Sequence, residues 1–157
     1  MTKSEILRKL PFWERKYKIN SGELAALIER ESNFQPDALG ADGEIGLLQL
    51  LPGGAIADYE QFNEALSDYY IIDNNLAVGS WYWGKRIPEM LRHFGHENTL
   101  RNRVIAWNWG IAHAGKSTLP TVTASFYEHM KAKKKHNYAL PVAAGFLGLI
   151  AALFRKR

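Results

Sequence analysis

Apolar residues recur at helical spacing through most of this chain, and no stretch alternates long enough to predict a half-buried strand. The pattern predicts helices over 3–17 and 21–32, then a short one over 46–51 stopped by Pro52-Gly53-Gly54. A long helical segment follows over 67–94, in which Pro88 marks a break or a first turn, and two more helices cover 98–108 and 119–136. Residues 36–45 predict an irregular hairpin, and Gly110 to Ser117 is the loop with the most freedom. The fold class expected is mainly α, without internal repeats.

The second helix carries the first candidate chemistry. Leu24, Ala25, Leu27 and Ile28 form its apolar face behind the N-cap candidate Ser21 and the nearby Glu23, while Glu29 and Arg30 fall on the solvent side. Glu31 lies four residues after Leu27 and three after Ile28, which turns its carboxylate toward the core face. Burial disfavours an ionised carboxylate and raises its pKa, the condition for a general acid near neutral pH. The competing reading is a helix-end carboxylate paired with an arginine. Ten residues on, Gly46 to Pro52 brings the chain back past Glu31 through a glycine-rich turn, which predicts a cleft holding one acid.

Composition narrows the classes. At 157 residues the chain is long enough to bury one core without disulfides, and it has no cysteine to form them. Of five tryptophans, Trp81, Trp83, Trp107 and Trp109 cluster in two segments, where they suit either sugar-binding platforms or the core of a small α domain. His93 and His96 read as surface residues, since no third ligand stands near them in sequence. No metal is therefore expected; Gly43-x-x-Gly46 and Gly53-Gly54 read as turns, since they lack the lysine, serine and strand of a phosphate loop, and no cofactor is expected.

Three short motifs stand in order: Glu31-Ser32-x-Phe34-x-Pro36, then Gly43-x-x-Gly46-Leu47-Leu48-Gln49-Leu50-Leu51-Pro52, then Ala106-Trp107-Asn108-Trp109-Gly110. With Asn75 and Gly79 before Trp81 and Tyr82, and Leu119-Pro120 before Tyr127, they resemble the soluble lytic transglycosylase family of the lysozyme-like superfamily over about residues 12–130. The resemblance implies a lysozyme-like helical domain with a short irregular loop or hairpin near the active-site cleft. It implies Glu31 as the single catalytic acid and base, Ser32 assisting its placement, Gln49 lining the cleft and Asn108 beside the glutamate. Trp107 joins this supporting set, and Tyr127 is a further candidate to face the carboxyl. Two departures stand out: Trp107 occupies the place of a usual tyrosine, so a group that donates but cannot accept replaces a hydroxyl, and Glu44 adds a carboxylate within the second motif.

The implied activity is cleavage of the β-1,4 bond between N-acetylmuramic acid and N-acetylglucosamine of peptidoglycan, leaving a 1,6-anhydromuramyl end and opening the cell wall locally. The partner is the glycan strand. A muramidase of lysozyme type is the alternative; it would need a second carboxylate, for which Glu44 and Asp42 are candidates, with Asp37 also in the loop. A catalytically inactive peptidoglycan-binding module is the third reading.

Charge divides the chain near residue 130. Residues 1–130 hold 13 Lys and Arg against 16 Asp and Glu, whereas residues 131–157 hold 7 basic residues and no acid. The basic run Lys131 to Lys135 precedes an apolar stretch, Ala139 to Phe154, closed by Arg155-Lys156-Arg157. The expected organisation is a transglycosylase domain over 1–130, a basic linker over 131–137 and a C-terminal apolar, membrane-anchoring helix over 138–157. Sixteen residues rise about 24 Å, short of the roughly 30 Å hydrocarbon core, with Tyr138 and the terminal cations covering part of the difference. Ala144, Gly148 and Ala152 form a small-residue stripe suited to helix–helix self-association. With no signal-peptide pattern from Met1 to Asn20, the expected location is membrane-associated, in a bacteriophage virion or at the bacterial inner membrane facing the wall. Nucleic acid is not an expected partner, because the lysines abut an apolar run without interleaved aromatic residues.

Overall fold

Helix α1, Lys3–Lys16, starts at a reciprocal cap: Thr2 accepts from the Glu5 backbone N–H, and the Glu5 carboxylate accepts from Thr2 N at 2.6 Å. The structure is a computed structural model that describes residues 1–134. Ile6 and Leu10 of α1 enter the core, and the buried Glu14 reaches the start of the next helix. Helix α2, Glu23–Ser32, is capped by Gly22 and not by the expected Ser21. The reason is tertiary: Glu14 Oε1 accepts from Gly22 N at 2.8 Å and Leu24 N at 3.4 Å, so α1 supplies the acceptor that a local side chain usually provides.

Helix α2 runs through the middle of the fold. Leu24 to Ile28 are all buried, with α1 packed on one side and α7, Thr121–Lys134, on another. Glu29, expected on the solvent side, is half-buried and pairs with Lys133 of α7 at 2.8 Å and Lys3 of α1 at 3.6 Å. Asn33 and Phe34 then adopt left-handed backbone, which ends α2 and turns the chain back across its C-terminus.

The returning loop is irregular, held by single antiparallel bridges between Leu39 and Ile45 and between Ile45 and Leu50. Among the described residues there is no longer strand. The helix expected over 46–51 is absent, because its backbone groups bond elsewhere. Ile45 and Leu50 exchange both N–H···O bonds at 3.0 Å, and Leu48 N donates to the Asn75 side chain at 3.0 Å. Pro52, expected to help stop a helix, instead starts a π-type turn, Pro52–Ile56, that runs into α3, Ala57–Phe62. Its ring sets φ for a first helical position, where a missing N–H costs nothing.

Helix α4, Ile72–Trp81, begins later than the pattern predicts, since Asp68 takes the Tyr70 N–H into a local turn. It continues through a π segment, Tyr82–Arg86, into α5, Ile87–His93. Pro88 explains the widened turn: it cannot donate, and its ring would clash with a carbonyl four residues back in a regular helix. Helix α6, Leu100–Asn108, starts at Thr99, whose side chain accepts from Asn102 N. The loop after it contains a 3₁₀ turn, Ile111–His113, and Arg101 and Asn102 of α6 bond its backbone at Lys116, Ser117 and Gly115. α7 packs against both α6 and α2.

The expectation of a membrane location is corrected. Among the described residues no helix is long and apolar enough to cross a membrane. The apolar segment 138–157, with its stripe at Ala144, Gly148 and Ala152, lies outside the described residues.

Candidate active site

Glu31 stands on the last turn of α2, half-buried beneath α6. The Trp107 indole N–H of α6 donates to its Oε1 at 2.6 Å. Burial pushes the Glu31 carboxyl from its ordinary value of 4.5 up to about 7, and the nearby Glu44 carboxylate adds to the rise. The Trp107 hydrogen bond and the Arg30 charge oppose it without overcoming desolvation. A carboxyl raised this far can keep its proton toward neutral pH and still release it, which suits both giving and taking a proton.

The neighbouring Ser32 does not line the cleft. Its hydroxyl donates to the Leu47 carbonyl at 2.8 Å, with the Ile28 carbonyl at 3.4 Å, and so ties the end of α2 to the loop that passes over it. That loop is fixed from the far side by Asn75. The buried Asn75 amide donates to Ile45 O at 2.9 Å and Tyr69 O at 3.0 Å while its oxygen accepts from Leu48 N. Two glycines let the elements meet. Gly46 has φ +71, and a Cβ there would lie 2.6 Å from Asn75 Nδ2; a Cβ on Gly79 of α4 would collide with the Leu48 side chain. Gln49, at φ +44, turns its amide N–H groups onto Gly46 O and Ala38 O, so it braces the loop as well as facing the cleft.

Two adjoining cavities make the cleft. One, of about 260 Å³, is lined by Glu31, Asp42, Glu44, Gln49, Leu51, Trp107 and Asn108. The other, of about 330 Å³, shares Gln49, Leu51, Trp107 and Asn108 with it and continues past Tyr82, Trp109 and Gly54 and Ala55 of the Pro52 turn. The tryptophans divide: Trp81 and Trp83 are buried, whereas Trp107 and Trp109 border the open space. Asn108 is held toward α7 by the Thr123 hydroxyl, which donates to its Oδ1 at 2.6 Å. Tyr127 lies outside the lining of both cavities, packed on the core with Lys131 over its ring.

The pattern of the sequence misses the group that holds α6 against α2. Glu23, noted in the sequence only for its place close behind Ser21, is buried and accepts from both terminal nitrogens of Arg103 at 2.8 and 3.2 Å and from Trp83 Nε1 at 3.2 Å. Arg103 precedes Trp107 by one helical turn, so this pair sets the height of Trp107 over Glu31. Tyr82 is also missed as a lining residue; its place follows from the π segment. Among the described residues no three His, Cys, Asp or Glu side chains gather closely enough to hold a metal ion.

A family model for the transglycosylase SLT domain matches residues 10–129. The chain belongs to that family. Its fold agrees: the X-ray structure of an inactive mutant of the lytic transglycosylase Slt from Pseudomonas aeruginosa aligns over 85% of this chain with a TM-score of 0.67 and 19% identity. This SLT chain spans 23% of that protein's length, and the likeness is one of fold. No curated protein matches the chain.

Proposed function

We propose that this SLT domain is a peptidoglycan lytic transglycosylase with Glu31 as its one catalytic acid and base. The observation that carries the reading is the place of the Glu31 carboxyl, which lines the cleft under the Trp107 indole where burial raises it well above its ordinary value. As an acid it protonates the oxygen between muramyl and glucosaminyl sugars, while the transition state gains oxocarbenium character. As a carboxylate it then takes the proton of the 6-hydroxyl of the same muramyl sugar, whose oxygen closes on C1 to give the 1,6-anhydro ring. The attack is intramolecular, and its high effective molarity removes the need for a base that positions water. Gln49 from the loop and Asn108 from the end of α6 supply polar contacts to the sugars, and Tyr82, Trp107 and Trp109 supply flat apolar ones. The sequence boundary at residue 130 falls inside α7, which runs on to Lys134 and ties Lys133 to Glu29, so the folded domain takes in residues 131–134 of the expected basic linker.

A hydrolase of lysozyme type is the second reading, favoured by the presence of Asp42 and Glu44 in the same cavity as Glu31. Digestion of purified peptidoglycan by the full chain, followed by mass spectrometry of the products, separates the two. A 1,6-anhydro end lacks the water a hydrolase adds, so transglycosylase products are about 18 Da lighter. Glu31→Gln abolishes them. Reducing ends would replace the first reading by the second, and absence of any product that depends on Glu31 would leave a glycan-binding module.

A further inference from the structure

We propose that Trp107 is a positioning residue that decides which oxygen of Glu31 carries the transferred proton, holding Oε1 as the permanent acceptor and leaving Oε2 as the acid. The inference rests on the transglycosylase reading above. Its basis is the chemistry of the indole: the nitrogen carries one N–H and has no lone pair to offer, so the bond to Oε1 at 2.6 Å runs in one direction whatever the state of Glu31. In the neutral carboxyl, the carbonyl-type oxygen is the better acceptor, which puts the hydroxyl proton on Oε2. A tyrosine, the usual residue here in the resembling motif, can donate or accept and imposes no such choice.

The reaction then uses one oxygen throughout. Oε2 gives its proton to the glycosidic oxygen as the C1–O bond breaks, and later receives the 6-hydroxyl proton as the C1–O6 bond forms. As Oε2 loses its proton, the Trp107 bond becomes charge-assisted and strengthens, so it favours the state that develops on the way to the transition state over the resting acid. The indole is held for this task. Its ring meets Tyr82 and Trp83 edge to face, each with centroids at 5.8 Å, and Trp83 is itself fixed by Glu23 and Arg103. The charged groups facing Glu31 are Arg30 on its own helix and Glu44 and Asp42 in the loop; α6 presents Trp107 and Asn108, neither of which titrates.

The test follows the indole ¹H–¹⁵N resonances of the full chain through pH without substrate. One of five indole signals should move with a midpoint of about 7, and this movement should be lost in Glu31→Gln. In Trp107→Phe the Glu31 midpoint, read from its ¹³C carboxyl signal, should rise by about one pH unit, and kcat should fall about ten-fold or more with a smaller change in KM. A purely packing role would leave the midpoint in place. If no indole signal follows Glu31, or Trp107→Phe leaves midpoint and kcat unchanged, the inference is wrong. If Trp107→Phe does not fold, the wild-type and Glu31→Gln spectra decide it alone. Retained peptidoglycan cleavage by Glu31→Gln would instead overturn the functional reading, a result independent of where the indole signal goes.

Discussion

Replacing Glu31 by glutamine should make the protein more stable at alkaline pH and leave it nearly unchanged at acid pH. The carboxyl is raised from 4.5 to about 7 in the folded state, so the native protein holds this proton more tightly than the unfolded chain does. Below about pH 4 both states are protonated and the group costs nothing. Between the two values the folded state loses stability as pH rises, and above about pH 7 the full penalty of a desolvated carboxylate is present. At about 1.4 kcal/mol for each unit of displacement, the penalty is about 3 kcal/mol. Glutamine keeps the shape and an oxygen that can accept from Trp107, but it carries no charge to desolvate. Urea unfolding of both proteins at pH 4 and pH 9 measures the effect as the change in the gap between them; other carboxylates contribute equally to both and cancel. The gap should open by about 3 kcal/mol in favour of the variant. A gap that stays constant, or that moves toward the wild type at pH 9, would refute the claim that Glu31 is kept as an acid by its surroundings.

Two further outcomes test the frame around the site. Arg103→Ala should destabilise by about 3 to 5 kcal/mol in urea unfolding, because Glu23 stays buried and loses the cation that meets both its oxygens. Gly79→Ala should destabilise by about 1 to 2 kcal/mol despite the better helix propensity of alanine, since the added methyl overlaps the fully buried Leu48; peptidoglycan cleavage should fall with it as the loop bearing Gln49 is displaced.

What the sequence makes legible here is what local periodicity controls. The α2 helix and the inward direction of Glu31 follow from the spacing of Leu24, Leu27 and Ile28, which pack as that spacing requires. What it hides depends on partners far along the chain. Gly22 rather than Ser21 caps α2 because Glu14 comes from another helix, and residues 46–51 form a turn because Asn75 takes the Leu48 N–H across 27 positions. Glu23 has the pattern of an ordinary first-turn acid, and only the fold reveals Arg103 and Trp83, 80 and 60 positions away, as what it binds. Pro88 signals a disturbance in the long helix but not its form; the π segment that results carries Tyr82 to the edge of the cleft.

The same contrast explains why three short motifs, each weak alone, specify a site together. Every one of them is tied to another element. The start of the Glu31 motif is bound to the second motif through Ser32 and the Leu47 carbonyl, the second is bound to α4 through Asn75, and the third is bound to Glu31 through Trp107 and to α7 through Asn108 and Thr123. A motif shifted by one residue would break a bond across the cleft while keeping its own helix or turn intact. The replacement of the usual tyrosine by Trp107 can be judged on that ground: it changes the chemistry of the bond to Glu31 but preserves a donor at the same joint, so the cleft remains closed around its acid.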